Sequence, residues 1–414
     1  MTPALALPNA SARHLALLGA FPFPYPQGSQ IFARDQALAL ETFGTRPEFF
    51  SYGRGQGEIP RDLPVHTAAH WASPRKMRSG PHWQKPLADL ALGLAFRKRA
   101  SEAQAQGDAF ECVLAHNAEA AAIALALRPI TRVPVVYVVH TILRHELSAY
   151  MPDAIESATN RVGQFIDRSI AARCDGLIVL GEDAAHELDP HTQAPIAVIP
   201  PGHFIQTDPT ALQISDVCCR HGLAPGQYAL YSGNLDRYQD LSLLEETARA
   251  SSSSQPPIII ASHDPQAASL GPNWPDRSVR SLFVESFDEM RALIHGAETL
   301  ILPRRRPGGF PIKLLNYMEA ARPIIAFDEI AHTLVDHQSA RLLPRRATGA
   351  DMARALSEIH DQPELQGQLG KGARQSLESE HDWNLIGQRT LEHVERILGA
   401  SSPSRRKDGD SHSG

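Results

Sequence analysis

The chain has 414 residues, 43% hydrophobic and 21% charged, with a formal net charge of −6. These values are those of a globular protein and exclude disordered and collagen-like classes, while the acidic balance argues against a nucleic-acid partner. The length suits two domains of roughly 200 residues each.

Cys112, Cys174, Cys218 and Cys219 show no CxxC or paired-histidine spacing. Neither a zinc site nor a disulfide framework is expected, and a reducing, cytoplasmic compartment fits. The opening residues lack the basic start and long apolar run of a signal peptide. No stretch reaches the ~18 apolar residues of a membrane span.

In chain order, HLALLGAF is followed by a loop and then SQIFARDQALALETF, whose apolar residues fall at helical spacing. The same strand-then-helix rhythm returns in FECVLAH with NAEAAAIALALRP, in VPVVYVVHT, in CDGLIVLG with EDAAHEL, and in PIAVIPPG. Continuous apolar, β-branched runs are those of parallel strands covered on both faces. Residues 1–205 therefore read as one doubly wound, Rossmann-like α/β domain.

The rhythm restarts with QYALYSGN and LSLLEETARA, then PPIIIASH, SLFVES with FDEMRALIHGA, ETLILPRR, and RPIIAFD. A second Rossmann-like domain over 206–384 follows. An amphipathic helix over 385–400 could pack back on the first domain, and the polar segment 401–414 reads as a disordered tail.

Ligands of such sheets gather beyond the carboxyl ends of the strands. In the second domain that place is taken by PRRRPGGFPIKLLNYMEAARPIIAF. Between Lys98 and Lys371 every basic position except Lys313 is arginine, so a site that wants a compact ammonium is indicated there. Arg304, Arg305 and Arg306 lie just upstream, with Gly308 and Gly309 allowing close backbone approach ahead of a helix start. A diphosphate matches this set.

This stretch resembles the donor-binding segment of retaining GT-B glycosyltransferases of the family 4 type, and the resemblance extends from about residue 14 to residue 398. LLNYMEAARPIIA is similar to the family's LLEAMAAGxPVVA helix, which places Gly308 and Asn316 where the two glutamates of its E-x7-E motif stand. In the family the first glutamate contacts sugar hydroxyls and the second holds the ribose. Here both carboxylates are replaced, and Asn316 retains an amide that accepts and donates hydrogen bonds.

YSGNLDRYQDLSLL resembles the family's GRLxxxKG turn, with Gly233 matching and Asn234 and Gln239 at the arginine and lysine positions that grip the diphosphate. Arg237, from the same loop, is a substitute candidate. FPFPYPQGSQIFARDQ is similar to the first glycine-containing loop, which implies that Gly28 and Ser29 approach the donor phosphates. His140, at the end of VPVVYVV, matches the family histidine that lies against the transferred sugar. His116 closes a neighbouring strand and Glu119 follows it, so both are possible cleft residues. A histidine at a strand end is also what a satisfied structural group looks like.

What the resemblance implies is two facing Rossmann-like domains with a central cleft, and a cytoplasmic hexosyltransferase that takes a nucleotide sugar to a glycan or lipid-linked acceptor. No cofactor is expected, and no DxD pair suited to a divalent ion is evident in the sequence. Residues 70–99 hold half of the six lysines together with Trp71 and Trp83, a composition that suits peripheral contact with the inner membrane face as well as a solvated surface. Two alternatives stay open: a catalytically silent sugar-nucleotide-binding or scaffold protein of the same fold, and a sugar-nucleotide epimerase.

Overall fold

The computed structural model describes residues 12–25, 28–53, 55, 57–60, 63–73, 84–150, 156–235, 239–252, 254–270, 279–305 and 309–401. Arg237, Arg306, Gly308, the middle of the basic segment (74–83) and the tail beyond 401 lie outside these residues. The chain divides into two compact units, Met1–Gly202 with Trp383–Gly414, and His203–Asp382.

Unit 1 carries a seven-stranded sheet of β1 (His14–Pro22), β2 (Arg46–Tyr52), β3 (Val65–Thr67), β4 (Cys112–His116), β5 (Val135–Val139), β6 (Gly176–Val179) and β7 (Ile196–Val198). Its order is β3-β2-β1-β4-β5-β6-β7, with every pairing parallel. Unit 2 carries β8 (Ala229–Ser232), β9 (Ile258–Ser262), β10 (Val279–Phe283), β11 (Thr299–Ile301), β12 (Ile324–Phe327) and β13 (Arg341–Leu343). These follow the order β10-β9-β8-β11-β12-β13, again all parallel. Both sheets are thus doubly wound, and each reverses its strand order once, at β1/β4 and at β8/β11. Ligands of this architecture bind at the carboxyl ends of the strands beside that switch point.

The sequence dictates this arrangement through burial. All nine positions of β1 and all five of β4 and β5 are buried, which a sheet covered by helices on both faces requires. The helices begin where capping chemistry permits. Asn117, at φ 82°, accepts the Ala120 N–H at 3.0 Å and so opens the helix Ala118–Thr131 directly after β4. The helix Trp383–Ser401 belongs to unit 1, where Trp383 packs 5.7 Å from Phe32 and Thr390 accepts a bond from Gln36 at 3.3 Å.

Candidate functional site

In unit 2 the switch point is occupied by Lys313. Its helix, Lys313–Glu319, opens four residues after Gly309, because Pro311 and Ile312 form the turn whose carbonyls take the Leu314 and Leu315 N–H groups. Gly309 has φ 80°, a left-handed conformation that favours glycine. Buried Phe310 then anchors the loop by stacking on His332, with centroids 4.5 Å apart. The Tyr317 hydroxyl accepts the Ser232 N–H at 2.7 Å and ties the helix to the end of β8.

This placement brings the Lys313 ammonium over the ring of buried Tyr231, 4.3 Å from its centroid, where it also donates to the Tyr231 hydroxyl at 2.8 Å. It donates again to Gln239 Oε1 at 3.3 Å. Gln239 in turn donates to Asn234 Oδ1 at 3.0 Å, and the Tyr231 hydroxyl donates to the Asn234 carbonyl at 2.6 Å. Gly233, at φ 138°, lies against the ammonium, and a Cβ added there would overlap it. Gln239, itself held by Asn234, therefore receives a cation supplied from the helix Lys313–Glu319. Cations at those positions would crowd Lys313 with like charge.

Asn316 sits one turn beyond Lys313 on the same helix face, and its side chain makes no hydrogen bond among the described residues. Of the arginines upstream, Arg304 and Arg305 are held within the fold. Arg304 is buried, and Arg305 is pinned by Asp240 at 3.2 Å, by the Ala347 carbonyl at 2.9 Å and by the face of Phe327. Glu319, close to the Asn316 register, serves elsewhere. It takes His203 Nε2 at 2.9 Å, the Gln206 N–H at 2.7 Å and Arg291 at 3.3 Å.

In unit 1 His116 closes β4 opposite Gly19 of β1, and His140 follows β5. The sequence singled out both histidines separately, and the fold joins them: His116 Nδ1 lies 2.9 Å from His140 Nε2, with the edge of Phe32 against both rings. Burial holds His116 well below its ordinary range, with His140 adding to this, and pulls His140 down to about 3. Both imidazoles are neutral near pH 7.

One proton is shared between the rings. The buried His116 Nε2 has no hydrogen-bond partner, and an orphaned buried N–H is rarer than an under-used acceptor. The favoured tautomer therefore has His116 Nδ1 donating to His140 Nε2, which leaves His140 a donor at Nδ1. Gly28 and Ser29 form the first turn of the helix Gly28–Thr42, after β1. Glu119, on the first turn after β4, pairs with Lys85 at 2.8 Å.

Residues 26–203 match the sequence model of Glycosyltransferase Family 4, and residues 226–362 match that of Glycosyl transferases group 1. The chain carries two glycosyltransferase domains. Among solved structures, sucrose-phosphate synthase from Thermosynechococcus elongatus superposes with a TM-score of 0.75 at 16% identity, over 94% of this chain and 100% of its own. Anabaena HepE in complex with UDP gives 0.68 at 15% identity, over 93% and 100%. Trehalose 6-phosphate synthase from Burkholderia multivorans gives 0.65 at 11% identity, over 96% and 99%. These likenesses establish the GT-B glycosyltransferase fold. A search of curated protein sequences finds no match.

Proposed function

We propose that this glycosyltransferase moves a hexose from a nucleotide-sugar donor to a glycan or lipid-linked acceptor, with retention at the anomeric carbon and without a metal ion. The observation that carries the reading is the Lys313 ammonium, held by Tyr231, Gln239 and the bare backbone of Gly233 at the switch point of unit 2. A preorganised cation there stabilises the charge that develops on a departing diphosphate. Asn316 would meet the ribose, and Gly28, Ser29, Gly309 and Asn234 would meet phosphate or sugar. His140, through Nδ1–H, would hold a hydroxyl of the transferred sugar.

Structures of HepE contain UDP and UDP-glucose, which makes uridine the first base to test here. The experiment is a melting-point screen against UDP-, GDP-, ADP- and dTDP-sugars, followed by a donor-hydrolysis assay, since a bound ligand raises stability by mass action. A donor that binds and is neither hydrolysed nor transferred would favour the silent binder, the reading that the replaced glutamates support.

A second observation bears on location. The helix Lys85–Ala105 exposes Leu87, Leu90 and Leu94 along one face that continues into exposed Arg97 and Lys98. Among the described residues no helix is long and apolar enough to cross a membrane. An apolar row ending in cations suits an anionic lipid surface, so we place the enzyme in the cytoplasm with this face on the inner membrane leaflet. Sedimentation with phosphatidylglycerol vesicles tests it. Loss of binding in Leu90→Glu is the expected result, and equal binding to phosphatidylcholine vesicles contradicts the electrostatic part.

A further inference from the structure

His116 is a poor fit to the strand that carries it. The rest of β4 is Cys112, Val113, Leu114 and Ala115, all buried, and His116 itself has no exposed surface. Its buried Nε2 has no hydrogen-bond partner. An apolar side chain would fill the place without that penalty, so the reason for an imidazole lies in its other nitrogen. That nitrogen, Nδ1, meets His140 Nε2 at 2.9 Å.

The surroundings hold both rings still. His116 is paired with Gly19 of β1 and Val138 of β5, and the N–H of the next residue, Asn117, bonds the Val138 carbonyl at 3.2 Å. Phe32 flanks both imidazoles, with centroids 6.0 and 5.1 Å away, and is itself packed on Trp383. His140 keeps 8% of its surface exposed and His116 keeps none, so a ligand reaches His140 alone. With both rings neutral, the bond between them runs in one direction or the other. A bond from His140 to His116 obliges His116 to carry an orphaned Nε2–H in the core. The reverse bond leaves only an unused acceptor there, and it puts the proton of His140 on Nδ1. The bond made by one nitrogen of an imidazole thus decides what the other can do.

We propose that His116 is a positioning residue for His140: it fixes that ring and leaves Nδ1–H as the donor available to a sugar hydroxyl. This rests on the transferase reading and names what orients its histidine. Proton–nitrogen NMR spectra of the full chain, with His140 assigned by its absence in His140→Asn, should show His140 protonated on Nδ1 at pH 7. Steady-state hydrolysis of UDP-glucose is then compared in two variants. His116→Leu suits the apolar surroundings but donates nothing, and its kcat should fall about tenfold with KM little changed. His116→Asn suits the core less well but offers an amide N–H, and should keep kcat within about threefold of the wild type. A merely structural role predicts the reverse, with Leu above Asn in activity as well as in urea midpoint. A proton on His140 Nε2 in the wild type overturns the proposal even where a variant fails to fold, and so does a Leu variant as active as the Asn variant. Absence of UDP-glucose binding to the wild type strikes instead at the transferase reading and takes this inference with it. Donor binding together with an Nε2 proton on His140 strikes at this inference alone.

Discussion

At the scale of single residues, Lys313 is the side chain on which most depends. One preorganised charge on a leaving phosphate is worth roughly 100-fold in rate, about 2.7 kcal/mol. Lys313→Ala should lower kcat for nucleotide-sugar turnover by about that factor, read by steady-state kinetics. Lys313→Arg should also be impaired, because the ammonium fits between the Tyr231 ring and the Gly233 backbone, where a planar guanidinium does not. Full activity in the arginine variant would show that only the sign of the charge matters. The histidine pair makes a prediction about pH. His140 is held at about 3, against an ordinary 6.5, by burial, and His116 is displaced the same way. As pH falls below 6.5 the unfolded chain takes up protons that the folded one refuses, so stability is full above that pH and is lost progressively toward 3. His140 should remove about 2 kcal/mol between pH 6.5 and 5, and His116 adds to the fall in the same direction. Urea midpoints at pH 7 and 5 should show a steep fall in the wild type and a shallower one in His140→Asn, while equal slopes would mean that the pair is not buried as described. In kinetics, His140→Ala should reduce kcat more than donor affinity, since a bond near the anomeric carbon counts in the transition state.

At the scale of elements, the helix Lys313–Glu319 shows how local and tertiary constraints divide one short segment. Its half-buried side offers Lys313 and Asn316, and its buried side holds Leu314, Leu315, Tyr317, Met318 and Glu319. Glu319 is kept below the usual carboxylate range, against the penalty of burial, by His203, the Gln206 N–H and Arg291. Glu319→Ala would strand the almost fully buried Arg291, a loss of about 3 to 5 kcal/mol when one member of a buried pair is removed. Denaturant unfolding should register that loss. In the intact protein the same contribution is present above the ordinary glutamate range and disappears as acid protonates Glu319. The sequence revealed this helix and most strands because runs such as VVYVV leave no competing pattern. It concealed β2, RPEFFSY, since Glu48 interrupts the apolar run. In the fold that carboxylate is surrounded by His14, His66 and Arg99, partners between 18 and 51 residues away. The candidate site was legible to a similar degree. Lys313 stood out against an arginine-writing background, but Tyr231 and Gln239, 82 and 74 residues away, carry no local signal that they receive it. Likewise His116 and His140 each marked a strand end, and only the adjacency of β4 and β5 makes them a pair.

At the scale of the whole molecule, two units with separate sheets permit a measurement that neither residue nor element allows. Large multidomain chains need not unfold in one step, so each unit can report its own transition. The Lys313 network belongs wholly to unit 2, His203–Asp382. A nucleotide sugar held by that network at about 100 times its dissociation constant adds ~2.7 kcal/mol to the state that binds it. For a unit of this size a gain of that order raises the melting temperature by about 5 to 10 °C. Scanning calorimetry with UDP-glucose should therefore move the transition of unit 2, and the Lys313→Ala variant should lose most of the shift at the same ligand concentration. The free nucleotide UDP isolates the diphosphate. If it shifts the wild type nearly as far as UDP-glucose does, the lysine cradle supplies most of the donor affinity. A shift that survives intact in Lys313→Ala would move the diphosphate away from the switch point of unit 2 and leave the Tyr231–Lys313 contact as a structural cation–π pair.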